Sequence, residues 1–322
     1  LLKATTMAAQ GMSFEDIDSF STESCVLLSR LPAPAPIVVG LDGTDSGRGA
    51  AAVARSLARA WDAPLRVVSA LEPVREVRQK PGDSRCHAAR ERERRDALSR
   101  FAESAAAEGV CCDIDLDDGC AISRLINCAI SSGAELILLG LRASTERAPV
   151  FSDDTALRVI RRTTIPVLAV TPDLCAQPRR AIVTIDFTSA SVAAARLALK
   201  VLEPGGTLVL AHLPPDFDGA QSYADAIKSS YSHATSFAFE RLARELTPPR
   251  CMSIATVQLE GTLIESVADL ADQADADLIA VGTGRRDLTT LNGAPHPATA
   301  LLRQRQRSVL AVPAPNRSIE QS

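Results

Sequence analysis

Apolar and polar positions along this chain fall into short β-branched runs that alternate with segments of helical period, beginning near residue 36. Apolar runs bounded by Gly, Pro, Asp and Ser predict strands, and apolar residues recurring every third or fourth position predict helices. The first series reads PIVVGLD (36–42), helix 46–61, PLRVVSAL (64–71), a charged helix 86–108, CDIDL (112–116), helix 121–132, ELILLG (135–140), helix 154–162 and PVLAV (166–170). The second reads AIVTID (181–186), a helix ending at Leu202, TLVLAHL (207–213), helix 223–246, IATVQL (254–259), helix 264–273, DLIAVG (277–282), helix 298–304 and SVLAV (308–312). Strands and helices in this order predict an α/β fold with a parallel sheet covered by helices.

The two series keep register. Gly119 and Gly261, Gly140 and Gly282, and Pro166 and Ser308 each stand 142 residues apart, and Asp42 and Asp186 stand 144 apart. Matched spacing over several features predicts two tandem copies of one module, over 36–173 and 179–314. TPDLCAQPRR (171–180), with Pro172 and Pro178, supplies the connector. Residues 1–35 show no sustained period and run into LPAPAP, which predicts a flexible amino-terminal arm.

Composition narrows the class. With 322 residues, 46% hydrophobic content and a formal net charge of −4, the chain has material for two domain cores and is expected to be globular. No run approaches the roughly 18 to 20 apolar residues of a membrane span, and the first twenty residues lack a basic-then-apolar export pattern, so the cytoplasm is the expected compartment. The arginine-rich stretch 75–100 is interspersed with Glu76, Asp83, Glu91, Glu93 and Asp96 and carries no aromatics. It reads as a solvated, ion-paired helix face and not as a nucleic-acid platform.

Eight cysteines occur without a CxxC pair, and His87, His212, His233 and His296 share no metal-ligand spacing, so no metal site is assigned. Most of the cysteines read as small buried hydrophobes; the adjacent Cys111 and Cys112 leave a redox sensor as an alternative. No GxSxG elbow appears, and no catalytic residue is assigned. His212 follows a buried-type strand and reads as a core histidine. The loop DGTDSGRG (42–49) has neither GxGxxG spacing nor GK[ST], and Thr44 and Ser46 are expected to cap the following helix.

PIVVGLDGTDSGRGAAAVARSLARAWDAPLRVVSAL, followed by AELILLG and IPVLAV, resembles a universal stress protein domain; EGTLIESVADLADQADADLIAVGTGRR and SVLAVP resemble its second half again. Together these cover nearly everything from Pro36 to Pro313. The resemblance implies two tandem flavodoxin-like (adenine nucleotide alpha hydrolase-like) domains, each a five-stranded parallel sheet flanked by helices, paired as an intramolecular pseudo-dimer. The strand order is not derivable from periodicity. Final strands such as SVLAV would pair across a two-fold axis as the resemblance suggests, giving a homodimer unless the tandem fusion already satisfies those edges.

In such sheets a ligand lies outside the carboxyl ends of the strands where their order switches. The resemblance implies that an Asp after the first strand reads the adenine and ribose side, and that G-x2-G-x9-G-[ST] after the fourth strand holds the phosphates. Asp42 and Asp186 fit the first role, and Gly140 opens the second motif. There the family pattern fails: Ala143 replaces its next glycine, and Asp153 and Asp154 replace Gly-Ser/Thr. Ser152 or Asp153 can cap the helix, and both acids complement its dipole, occupying the seat of a phosphate. A unit negative charge held about 4 Å from either carboxylate is opposed by on the order of 4 kcal/mol at an effective dielectric near 20, unless Mg²⁺ bridges them. The second module keeps Gly282, shifts a glycine to Gly284, and puts Arg285, Pro295 and His296 in family positions. Arg285 and Arg286, with Gly293 before the helix, are its candidate anion-holding residues.

These observations predict a non-catalytic stress-response scaffold or regulator with degenerate nucleotide-binding motifs, acting on an unidentified protein partner or small ligand. The alternative is an adenine-nucleotide binder or weak ATPase, taking ATP with Mg²⁺, that works from the second module.

Overall fold

The computed structural model describes residues 34–71, 83–141, 155–215, 221–247, 251–284, 296–304 and 306–315. The predicted amino-terminal arm lies outside them up to residue 33. In the first module the order is β1 (Ile37–Gly40), α1 (Arg48–Trp61), β2 (Leu65–Leu71), α2 (Asp83–Ala107), β3 (Cys112–Asp118), α3 (Ala121–Ser132), β4 (Leu136–Gly140), α4 (Thr155–Ile160) and β5 (Val167–Val170). The second repeats it as β6 (Arg180–Thr184), α5 (Ser189–Val201), β7 (Thr207–His212), α6 (Gln221–Leu246), β8 (Ser253–Gln258), α7 (Leu263–Gln273), β9 (Leu278–Thr283), α8 (Pro297–Gln304) and β10 (Ser308–Pro313).

The helices form where the sequence supplies one apolar stripe. In α1 the buried residues are Ala50, Val53, Ala54, Leu57 and Ala58, at the spacing of one helical face. The helix stops where Asp62 turns left-handed and its N–H bonds back to Ala58 O and Arg59 O; Gly133 ends α3 in the same way. β1, β4 and β5 are apolar on both faces because helices cover both sides of a parallel sheet.

Among the described residues ten strands form one sheet, in the order β3-β2-β1-β4-β5-β10-β9-β6-β7-β8. Each half is parallel and doubly wound, with the order reversing between β1 and β4 in one module and between β6 and β9 in the other. The halves meet at one antiparallel pair, β5 with β10. Leu168 faces Leu310, its own counterpart 142 residues on, so the pseudo-two-fold axis passes between these two leucines. The two five-stranded sheets expected from sequence are thus merged. Both final strands are interior, so the fusion has consumed the edges through which a homodimer was expected to form.

Two apolar layers cover the sheet, and each crosses the module boundary. One runs from Val39, Leu57 and Phe101 through Leu138 and Leu168 to Leu310, Val183, Leu210 and Phe239; the other includes Val38, Ile137, Ala169, Val309, Ile279 and Ile182. Burying a side chain of this size contributes about 1.5–3 kcal/mol, so the shared layers couple the modules strongly. Residues 35–322 accordingly form one compact unit.

A polar clasp reinforces the junction. The Trp61 Nε1–H donates to Lys200 O at 3.1 Å, the Lys200 ammonium sits 4.1 Å from the Trp61 ring centroid, and it also pairs with Glu135. Buried Gln177, in the connector, accepts from Ser56 Oγ and donates to Val201 O. Trp61 is the sole tryptophan of the chain, so its fluorescence reports on the junction. Lys200→Met is expected to change Trp61 emission and to lower stability by about 1 kcal/mol. Chemical denaturation followed by fluorescence and by circular dichroism should give coincident single transitions; two separated transitions would contradict the shared layers.

Candidate functional site

The strand pairings place the carboxyl ends of β1 and β4 side by side, and likewise those of β6 and β9. These are the two switch points where a ligand of such a sheet would lie. Asp42 and Asp186 stand just past β1 and β6, and both make the same turn. Asp42 Oδ1 accepts the Thr44 N–H at 3.0 Å and the Thr44 hydroxyl at 2.6 Å. Asp186 Oδ1 accepts the Thr188 N–H and hydroxyl at the same two distances. Asp side chains favour such turns because the carboxylate satisfies a backbone donor two residues on.

The helix starts then diverge. Thr188 caps α5, its oxygen accepting the Ser191 N–H. Thr44 and Ser46 do not cap α1 as expected. The chain first makes a short 3-10 turn over Asp45–Gly47, and the Thr44 proton is already given to Asp42, so the Ser46 hydroxyl must donate to Thr44 Oγ1 at 2.7 Å. Partial withdrawal from water opposes ionisation of Asp186, but hydrogen bonds from Ser191, the Thr188 hydroxyl and N–H and its own amide outweigh it. They hold its carboxyl below the usual value.

Gly140 ends β4 and Gly282 is the next-to-last residue of β9, each where a turn or a helix crosses the strand. A Cβ on Gly140 would come 2.1 Å from Ser46 O, and one on Gly282 would come 2.5 Å from Ser191 N. Close packing of strand against helix start therefore requires both glycines, whatever ligand is present. Gly284 differs: a Cβ there would meet nothing within 4 Å among the described residues. Arg285, Arg286, Gly293 and Pro295, and in the first module Ala143, Ser152, Asp153 and Asp154, lie outside the described residues. Gly282→Ala is expected to destabilise the fold by about 1–3 kcal/mol through overpacking, and Gly284→Ala to stay within about 0.5 kcal/mol. Urea denaturation of the two variants checks the contrast.

His296 occupies the position where the family pattern would place a small hydroxyl residue, and it does that residue's work. Its Nδ1 accepts the Ala298 N–H at 3.2 Å, and its carbonyl accepts from Thr299, opening α8 at Pro297. Burial pushes its pKa below the ordinary 6.5. An acceptor Nδ1 needs the neutral ring, so the unfolded chain takes up the proton first. This contribution is full above about pH 6.5 and is lost as pH falls from there through the folded-state value. His296→Asn keeps a capping side chain without a proton to gain. Its stability should fall less steeply than that of the wild type between neutral pH and pH 5 in thermal melts.

His212 is a core histidine, as expected from sequence. Its Nδ1–H donates to Ile185 O at 2.6 Å, which fixes the tautomer, and Nε2 meets the Tyr231 hydroxyl at 2.7 Å. With both nitrogens engaged, it is not poised as a general base. Phe187 packs on it at 5.2 Å and on Phe239 at 5.3 Å. The parallel bonds Leu41 N–H to Val68 O and Ile185 N–H to Ala211 O make Ser69 the counterpart of His212. Ser69 Oγ is buried with no hydrogen-bond partner among the described residues.

Cys111 is exposed, and Cys112 is partly buried, with burial, Asp113 and Cys111 pushing its thiol up to about 11. Such a thiol carries almost no thiolate, which argues against the vicinal redox sensor. The thiol that does shift downward is exposed Cys120, just before α3, lowered chiefly by the Ser123 amide and hydroxyl. Sequence reading passed over it; its place directly before a helix was the available signal. Among the described residues no group of three His, Cys, Asp or Glu could hold a metal, and no helix is long and apolar enough to cross a membrane. In the arginine-rich helix Arg95 pairs with Glu91 at 2.8 Å, and Arg94 donates to Ala70 O at 2.6 Å.

Two doubly wound modules with a reversed order at β1/β4, joined through their last strands, define a tandem of flavodoxin-like domains of the adenine nucleotide alpha hydrolase type. The universal stress protein family model matches residues 35–171 and 178–313, and the chain belongs to that family. A universal stress protein from Archaeoglobus fulgidus DSM 4304 superimposes with a TM-score of 0.66 at 13% identity, covering 88% of this chain and 99% of that one. A functionally unknown protein from Pseudomonas aeruginosa PAO1 gives 0.58 at 17% identity, covering 88% and 93%. A universal stress protein solved in complex with cAMP is 25% identical over 44% of this chain and all of its own, with a TM-score of 0.33. No curated protein matches the sequence.

Proposed function

We propose that this tandem universal stress protein is a non-catalytic regulator of stress adaptation that acts by engaging a partner, with both nucleotide crevices degenerate. The observation that carries this reading is that, among the described residues, the polar side chains at the switch points are bonded within the chain. Asp42 and Asp186 are each committed to a threonine at 2.6 Å, and His296 takes an amide at the start of α8 that an anion would need. The second module also has a phenylalanine ring beside Asp186, packed against His212.

One observation favours a second reading, in which ATP with Mg²⁺ binds the second module. Gly284, directly after β9, has no described neighbour within 4 Å of an added Cβ, and it precedes Arg285. Equilibrium binding of labelled ATP, with and without Mg²⁺, separates the two. The regulator reading expects no saturable binding at micromolar nucleotide. Saturable binding that disappears in Asp186→Ala would replace it with the nucleotide reading and locate the site.

A further inference from the structure

The continuous sheet ends, among the described residues, in two strands with an unpaired side, β3 and β8. Their outward hydrogen-bonding groups follow from the bonds to their inner neighbours. Ser253 N–H donates to Gly206 O and Leu259 N–H to His212 O, so the odd-numbered residues of β8 bond to β7. Alternate residues of a strand direct their backbone groups to opposite sides, so Ile254, Thr256 and Gln258 turn theirs outward. Cys111 O accepts the Leu65 N–H, so Cys112, Ile114 and Leu116 do the same on β3. Ser69 pairs with Leu116 and its counterpart His212 with Gln258, which makes Ile114 the counterpart of Thr256.

The two edges differ in charge. Paired antiparallel with itself about Ile114, β3 would set Asp113 opposite Asp115 of a second copy at the closer, non-hydrogen-bonded spacing, where like charges oppose pairing. Arg66 and Arg124 gather at the same edge as partners of these acids, and on α2 Arg95 pairs with Glu91. β8 has none of this. Paired about Thr256, Ala255 would face Val257 of the second copy, Ile254 would face Gln258, and Thr256 would face itself. That pairing contains no charge and puts a threonine pair, itself favourable across strands, at its centre. The neighbouring helix agrees. Arg196 reaches Glu245 on α6 as Arg55 reaches Ser104 on α2, which fixes the register of the two helices and the flank that faces the preceding helix. On the opposite flank Ser232 and Ser236 stand where α2 has Glu91 and Arg95, and Ser236 Oγ donates to Ser232 O at 2.9 Å.

We infer that two copies of this chain join their β8 strands antiparallel about a two-fold axis at Thr256, so that one sheet runs through both. Thr256 exchanges both backbone bonds with its own copy, and Ile254 does so with Gln258, which satisfies the groups that β8 turns outward. Ile254 and Val257, partly buried against the two apolar layers, lose exposure in the same step. A second copy is the partner because the strand is its own neutral complement, and a two-fold pairing of identical edges closes on itself. The charged β3 strands are then left at the two ends. β8 lies at the far side of the module from β10, so the fusion leaves this edge open. One strand pair is smaller than a standard interface, and the dimer therefore dissociates on dilution.

Sedimentation velocity of the full chain over a dilution series is the test. The wild type should pass from dimer to monomer between about 200 μM and about 2 μM. Thr256→Lys sets two ammonium groups opposite each other on the axis and should weaken the dimer by about tenfold or more. Ile114→Lys, the same change at the matching place on the other edge, should leave it unaltered. Both positions are exposed, so both variants are expected to fold, which circular dichroism checks. A wild type that stays monomeric throughout would overturn the inference and leave the edge to a different partner. A dimer that Ile114→Lys breaks, or that Thr256→Lys leaves intact, would overturn it as well. In the wild type, hydrogen exchange at the Ile254, Thr256 and Gln258 amides should slow at the higher concentration while that of Ile114 does not. Unchanged rates at β8 would refute the pairing without recourse to any variant.

Discussion

Everything else in this molecule depends on the antiparallel contact between β5 and β10. Three residue pairs, centred on Leu168 and Leu310, turn two parallel five-stranded sheets into one continuous sheet. Strand edges are reactive surfaces, and pairing them removes unsatisfied backbone groups that would otherwise recruit another chain. Because the pair is central, the apolar layers on both faces run across it, and the connector adds the Gln177 bonds to Ser56 and Val201 O. The edges that remain lie at the two ends of the sheet. β3 carries Asp113 and Asp115, paired with Arg66 and Arg124, whereas SIATVQ in β8 carries no charged residue.

The symmetry of the scaffold makes the modules an internal comparison. The turns after β1 and β6 share the same Asp-to-Thr bonds, so the side chains that differ around them are informative. Gly43 against Phe187 and Ser69 against His212 fall at the same end of the sheet. One module closes there by moving a helix in, the other by adding rings.

Much of the architecture was legible in the sequence because burial on both faces leaves a strong signature. Helix α3 falls on the expected residues 121–132, since Ile122, Leu125, Ile126 and Ala129 form a clean stripe and Gly133 stops it. β1 ends at Gly40, short of the expected Asp42, because the Asp42 carboxylate captures Thr44 and turns the chain. Strand order was not legible: a strand apolar on both faces says nothing about which neighbour it pairs with. The pairing of Leu168 with Leu310 followed from the repeat only once the order was known. At the candidate site, the sequence pointed to two glycines and two aspartates at the strand ends, but the glycines' packing role depends on a turn or helix brought close in three dimensions. His296 carried its own signal, a residue directly before Pro297 at a helix start. The ring cluster did not, because Phe187, His212 and Phe239 are brought together only by the fold.

The position of His296 bears on the first module as well. A helix start offers a few amides that lack an intrahelical partner, and an anion site exists only where some of them are left for the anion. In the second module a side chain and the geometry of Pro297 already account for the first of these donors. The 142-residue register sets Asp154 opposite His296, and an aspartate is a stronger acceptor for an amide than an imidazole, with a charge that suits the helix dipole. A family position built around a small hydroxyl residue has thus been given in both modules to residues that can accept amide hydrogen bonds themselves, one acidic and one neutral.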